Sequence, residues 1–211
     1  MSELEQEPDA AAPVFGDRID IARAFTRALA VHGEERGLIG PLELPRLWTR
    51  HILNSAVAAP LFSGTVGDVG SGAGLPGMVL AIARPDLQFV LIEPMERRVA
   101  WLTEQTDELG LDNVDIVRAR AEDWDRGRVL DVVTARAVSA LKTLIPLTAP
   151  LVRSGGELVL LKGASVAGEI DAARKQIRAF GLSDVRVEFA GEDLVVEPTR
   201  VLRANVRLFG P

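Results

Sequence analysis

The run Asp68-Val69-Gly70-Ser71-Gly72-Ala73-Gly74-Leu75-Pro76-Gly77 decides how the rest of the chain is read. A short apolar run, residues 66–69, leads into it, and residues 78–83 after it carry helical apolar spacing. The glycines therefore sit where a strand turns into a helix. Glycine at such a turn lets the backbone approach a ligand closely, and the first turn of the helix offers unpaired N–H groups. Pro76 suits that first turn, where a missing donor costs nothing. A second apolar run, residues 87–92, ends at Glu93, 19 residues beyond Gly74. A carboxylate at that point can accept hydrogen bonds from ribose hydroxyls. Strand, glycines, helix and acid in this order predict a nucleotide-like ligand rather than a tight turn alone.

Downstream the same alternation continues. Residues 97–109 read as a helix closing at Gly110, and residues 114–117, 129–134 and 158–162 read as strands, with helices at about 141–152 and 166–180. Strands that are solid apolar runs and alternate with helices predict a parallel sheet covered on both faces. Residues 185–189 and 200–208 follow each other without a helix, which predicts an antiparallel pair at one sheet edge. Upstream, Ile19, Ile21, Ala22, Phe25 and Leu29 form one helical stripe, and Leu44, Leu47, Trp48, Ile52 and Leu53 another, separated by a break over residues 37–45. The predicted fold class is α/β: a Rossmann-like, mostly parallel seven-stranded sheet with an antiparallel edge pair. A disordered acidic tail (1–13) and a helical extension (14–63) precede the ligand-binding domain (64–211).

Composition narrows the chemistry. Across 211 residues, 47% are hydrophobic and 26% charged, which suits an ordinary globular domain. The net charge of −6 owes much to Glu3, Glu5, Glu7 and Asp9; without residues 1–13 the chain carries 24 bases against 26 acids. That balance argues against a nonspecific nucleic-acid coater but not against a local basic patch. The absence of cysteine excludes a disulfide, a thiolate nucleophile and a cysteine metal cluster, and two histidines, His32 and His51, make a metal centre unexpected. There is no signal-peptide pattern and no apolar run of the roughly 18–20 residues that span a bilayer. A cytoplasmic chain without membrane contact is expected, and no heptad run calls for a partner, so a monomer is expected.

The ligand is less sharply defined, because Gly72-Ala73-Gly74-Leu75-Pro76-Gly77 also satisfies the dinucleotide pattern G-x-G-x-x-G and keeps an NAD-dependent oxidoreductase in play. Asp68, two residues before the extra upstream Gly70, resembles instead the first motif of class I S-adenosylmethionine-dependent methyltransferases, whose acid reaches toward the amino-acid part of the donor. Ala121-Glu122-Asp123 follows the third strand, where those enzymes bind adenine. A sulfonium methyl is already activated, so the protein must mainly align donor and nucleophile. There is no cysteine and no Asn/Asp-Pro-Pro-aromatic motif, which suggests, without deciding it, a nucleophile with a free lone pair, such as guanine N7, that needs no proton removed first.

The combination is more specific than any one motif. Arg50-His51-Ile52-Leu53-Asn54-Ser55, the glycine run, Glu93 followed by Arg97-Arg98-Val99-Ala100-Trp101-Leu102, Ala121-Glu122, Arg136-Ala137 and Lys162-Gly163 together resemble the bacterial small-subunit ribosomal RNA methyltransferase G family over about residues 15–209. The resemblance implies methyl transfer from S-adenosylmethionine to N7 of one guanine in the 530 loop of 16S rRNA, within the small ribosomal subunit. It implies donor contacts from Gly70, Leu75, Ala121, Glu122 and Arg136 and a ribose acid in Glu93, with Asp68, Gly72 and Gly74 completing the loop. Arg136 and His51 are the candidate catalytic residues, and Arg50, His51, Lys162 and Arg200 the candidate RNA contacts. His51 is equally open to bridging a helix to the sheet, and Arg203 and Arg207 to simple alternation on an edge strand. Arg97 and Arg98 read as a solvated helix face; Trp48 and Trp101 read as core. Asn54 stands where many members carry Asp, Glu93-Pro94 where an acid-Ser pair is common, and Trp101 where Phe is usual. A small-molecule methyltransferase and a non-catalytic RNA-binding assembly factor on the same fold are the remaining alternatives.

Overall fold

The computed structural model describes residues 3–124, 129–195 and 197–207. Seven strands, β1 (Thr65–Val69), β2 (Gln88–Ile92), β3 (Val114–Val117), β4 (Leu130–Thr134), β5 (Val152–Lys162), β6 (Leu182–Ala190) and β7 (Thr199–Val206), form one sheet in the order β3-β2-β1-β4-β5-β7-β6. The first five pair in parallel; β7 enters antiparallel between β5 and β6. A dinucleotide sheet of order 3-2-1-4-5-6 would have no such insertion. Helices α4 (Gly77–Ala83) and α5 (Glu96–Glu108) follow β1 and β2; α6 (Leu141–Thr148) follows β4, and α7 (Val166–Ala172) and α8 (Arg174–Ala179) follow β5.

Solid apolar strands are explained by two cores. Along β2, Phe89 and Leu91 belong to one and Val90 and Ile92 to the other; along β5, Val159 and Leu161 alternate in the same way with Leu158 and Leu160. Period-two alternation sends each set to its own face. The first core takes in α4, α5 and the N-terminal elements α1 (Ala11–Phe15) and α2 (Ile19–His32), through Phe15, Phe25, Leu29, Trp48, Ile52 and the fully buried Trp101. The helical extension thus shares its core with the sheet. Among the described residues, no helix is long and apolar enough to cross a membrane.

Several expectations are corrected. Residues 3–13 are not a free tail: Glu5 N–H donates to the Leu44 carbonyl, the Glu5 carboxylate accepts from Thr49 N–H, and Glu7 pairs with Arg23, so these two acids find partners on the helical extension. The second apolar stripe is a wide-turned π-helix, Trp48–Leu53, continued by the single turn α3 (Asn54–Ala56). The helix expected to reach residue 152 stops at Thr148, since Pro150 opens a tighter turn, and β5 starts early at Val152. The helix expected over 166–180 breaks at Ala173. Strand β7 ends at Val206, and Leu208 lies outside the described residues.

Candidate active site

The glycine loop leaves β1 and folds back over the end of β2. Gly70 N–H donates to the Ile92 carbonyl at 2.8 Å, and Gly72 N–H to Glu93 Oε2 at 2.9 Å. Gly70, Gly72 and Gly74 have φ of 72°, 57° and 93°, the left-handed region that glycine enters without penalty. Gly77 serves packing: a Cβ there would lie 2.3 Å from Leu91 and 2.5 Å from Asp68, so only glycine lets α4 sit against the sheet. At Gly72 an added Cβ would meet nothing nearer than the Gly70 carbonyl oxygen at 3.7 Å, so the loop opens there.

Two buried acids frame the opening. Asp68 Oδ2 accepts from Gly77 N–H at 3.0 Å, whereas the buried Oδ1 has no partner among the described residues. Burial pushes the Asp68 carboxyl up to about 7, against the pull of the Gly77 N–H. Glu93 Oε1 accepts from Met95 N–H at 2.9 Å, so both oxygens of this acid are fixed by backbone donors. Arg98, expected on a solvated face, brings Nη1 to 3.8 Å from Glu93 Oε2. Trp101 is core as expected, and its indole N–H ties α5 to the loop through the Ala73 carbonyl at 3.1 Å. Ala121 and Glu122 lie in a single turn after β3. Loop, Glu93 and Ala121-Glu122 therefore line up along the carboxyl edge over three neighbouring strands, a span of about 10 Å.

Beside this edge Arg136 follows β4 and precedes Ala137, whose φ of 55° is rare for a residue with a Cβ. Arg136 Nη1 donates to the His51 carbonyl and to Ser55 Oγ, each at 3.2 Å, and Nη2 meets His51 Nδ1. The other ring nitrogen, Nε2, lies 2.6 Å from Glu43 Oε2. Burial, then the Arg136 charge, hold the His51 pKa below its usual value against Glu43. The ring is accordingly neutral at pH 7: Nδ1 accepts from Arg136, which puts the proton on Nε2 and directs it to Glu43. Burial alone would raise Glu43, but hydrogen bonds from Arg46 and His51 outweigh it and hold the acid below the usual range. Burial and Arg50 lower Arg136 to about 10, so it remains a cation at neutral pH. Of the two roles open to His51, the structure displays the bridging one: both nitrogens are engaged, and the ring links the π-helix to Arg136.

Arg136 lines a cleft of about 850 Å³ together with Arg50, Lys162 and Arg200, so three of the four expected RNA contacts converge on it; Glu192 and Glu197 lie on its wall. They differ in freedom. Arg50 is 60% exposed. Lys162 is 10% exposed and donates to Glu169 at 2.7 Å and to the Ser139 carbonyl, so the expected free phosphate ligand is an internal ion pair. The cause is Glu169: its carboxylate also accepts from Leu141 N–H, joining α7 to α6, and needs a cation once covered. Arg203 is occupied by Glu157 and Glu188 on the sheet surface. Glu43 escaped the sequence reading because it lies in the interval between two helices, eight residues from His51, with no periodic relation to it.

The family model described as rRNA small subunit methyltransferase G (GidB) matches residues 18–197. The ribosomal RNA small subunit methyltransferase G of Leifsonia xyli subsp. xyli is 67% identical over 97% of this chain and 98% of its own length. The chain belongs to the rRNA small subunit methyltransferase G family. Another member, from Clavibacter michiganensis subsp. michiganensis, is 61% identical over 96% of this chain and 97% of that relative. Solved structures agree on the fold. Magnesium protoporphyrin IX methyltransferase (ChlM) from Synechocystis PCC 6803 with bound SAM superimposes with a TM-score of 0.61 at 16% identity, over 90% of this chain and 98% of that one. A SAM-dependent O-methyltransferase from Thermotoga maritima does so with 0.56 at 14% identity, over 89% and 72%.

The edge suits the donor used by this methyltransferase family. An orphaned buried acceptor, Asp68 Oδ1, is of the kind a cationic amino-acid moiety would pair with, Glu93 keeps lone pairs beyond the two that accept from Gly72 and Met95 N–H, and the open side of Gly72 leaves room.

Proposed function

We propose that this chain transfers the methyl group of S-adenosylmethionine to N7 of a guanine in the 530 loop of 16S rRNA, acting in the cytoplasm as a monomer on the small ribosomal subunit. One observation carries the reading: the glycine cradle with its two acids opens on the same sheet edge as a cleft where Arg50, Arg136 and Arg200 converge. The donor supplies a methyl group already activated by a sulfonium, and alignment is what remains for the protein to provide. Asp68, Glu93 and the loop backbone would hold the donor, with Ala121 and Glu122 at its adenine end. Arg136, held by His51 and Ser55, offers fixed donors to the base or to an adjoining phosphate. No side chain has to remove a proton first, because N7 presents a lone pair, and the chain has no cysteine to offer as a covalent helper.

The test is incubation with labelled S-adenosylmethionine and small subunits that lack their own modification, followed by mapping of the label. Label on N7 of one 530-loop guanine is the expected result. Label on another atom would redirect the substrate, and tight subunit binding without any transfer would make the chain an assembly factor.

A further inference from the structure

Single exposed apolar side chains are ordinary on protein surfaces, but Phe189 combines three features that set it apart. It is 48% exposed, near the end of the outermost strand β6, and it lines the same cleft as Arg136. The Arg200 guanidinium carbon lies 5.4 Å from the ring centroid, within cation–π range. Register supplies the third. Lys162 on β5 is paired with Arg200 on β7, and Arg200 with Phe189 on β6, so the three side chains form one row on one face of the sheet.

We infer that Phe189 and Arg200 form a stacking platform for an unpaired nucleobase of the RNA substrate, flanking the guanine to be methylated. The inference rests on the methyltransferase reading and extends it with a residue that no motif marked. Folded RNA is read mostly at unstacked bases, which lie on aromatic rings or on guanidinium planes. A ring already stacked with a guanidinium offers both in one continuous surface. Arg50 and Arg136 on the same cleft suit the phosphates on either side of such a base rather than an apolar peptide.

The test compares wild type with Phe189→Leu, Phe189→Tyr and Arg200→Lys in methylation of unmodified small subunits, with donor affinity measured separately by calorimetry. Loss of base–aromatic stacking predicts that Phe189→Leu raises KM for subunits by about tenfold or more, while kcat and donor affinity stay within about twofold. Phe189→Tyr keeps the π-face and restores KM. Arg200→Lys keeps the charge without the plane and raises KM by about threefold to tenfold. A Phe189→Leu enzyme with unchanged KM, or one that loses kcat instead, overturns the platform while methyl transfer stands. So does a Phe189→Tyr enzyme as impaired as Phe189→Leu. A wild-type chain that binds donor but labels no small-subunit RNA overturns the methyltransferase reading, and the platform with it.

Discussion

The proposed donor cradle and the proposed substrate cleft share one sheet edge yet are built by different means. The cradle comes from residues 68–93, one strand-helix-strand unit, and works mainly through backbone N–H groups and two buried acids. The cleft gathers side chains from the π-helix, the turn after β4, the end of β5 and the edge strands. His51 and Arg136, which touch, are 85 residues apart. Backbone-built sites fail through shape, whereas side-chain-built sites fail through loss of orientation, and substitutions in the two regions should therefore leave different kinetic signatures.

The largest effect belongs to the cradle. Gly72→Asp should remove calorimetrically detectable S-adenosylmethionine binding, because a carboxylate enters the opening beside Glu93. The Cβ meets no close neighbour, but the φ of 57° costs about 1–2 kcal/mol for a residue with a Cβ, so the melting temperature is measured alongside to separate lost binding from lost fold. Retained donor affinity would erase the distinction between the two regions. In the cleft, Arg136→Ala should lower kcat by about 100-fold, the scale of a misplaced reacting group, while donor affinity, to which Arg136 is one contact among several, falls far less than in Gly72→Asp. Glu43→Ala should lower kcat by about tenfold by releasing His51, and thereby Arg136, from a fixed geometry. A Glu43→Ala enzyme that loses donor affinity instead would move this acid to the cradle.

Asp68 gives a pH test of the cradle alone. Its carboxyl, at about 7 in the fold, is mostly protonated below neutrality, so donor affinity should fall by about tenfold from pH 8 to pH 6. Stability runs the other way. The native state holds this proton more tightly than the unfolded chain, so the contribution of Asp68 is present at acid pH and is lost as pH rises through about 7. Asp68→Asn should therefore weaken donor binding and raise the melting temperature at pH 8, by about 2–4 °C per kcal/mol relieved. The smallest kinetic effect is expected at Lys162: Lys162→Ala strands Glu169 and should lower the melting temperature while KM for subunits changes by about twofold or less.

The order of strands and helices, the two-faced burial of the sheet, the loop with its two acids and the core tryptophans were all legible in the chain, since each depends on periodicity or on neighbours a few residues away. The glycine pattern Asp68–Gly77 and the 19-residue step to Glu93 mark most of the proposed donor site in the sequence itself, because one strand-helix-strand unit contains the loop and both acids; only Ala121 and Glu122 lie beyond it. Which cations are free was decided only by packing. Lys162 and Arg200 stand opposite each other in the ladder, yet one is claimed by Glu169 across a helix contact and the other lies on Phe189. The partnership of Glu43, His51 and Arg136 likewise exists only once the π-helix is laid against the turn after β4, because a side chain's partners over such distances are set by how layers dock and not by the spacing of residues within them.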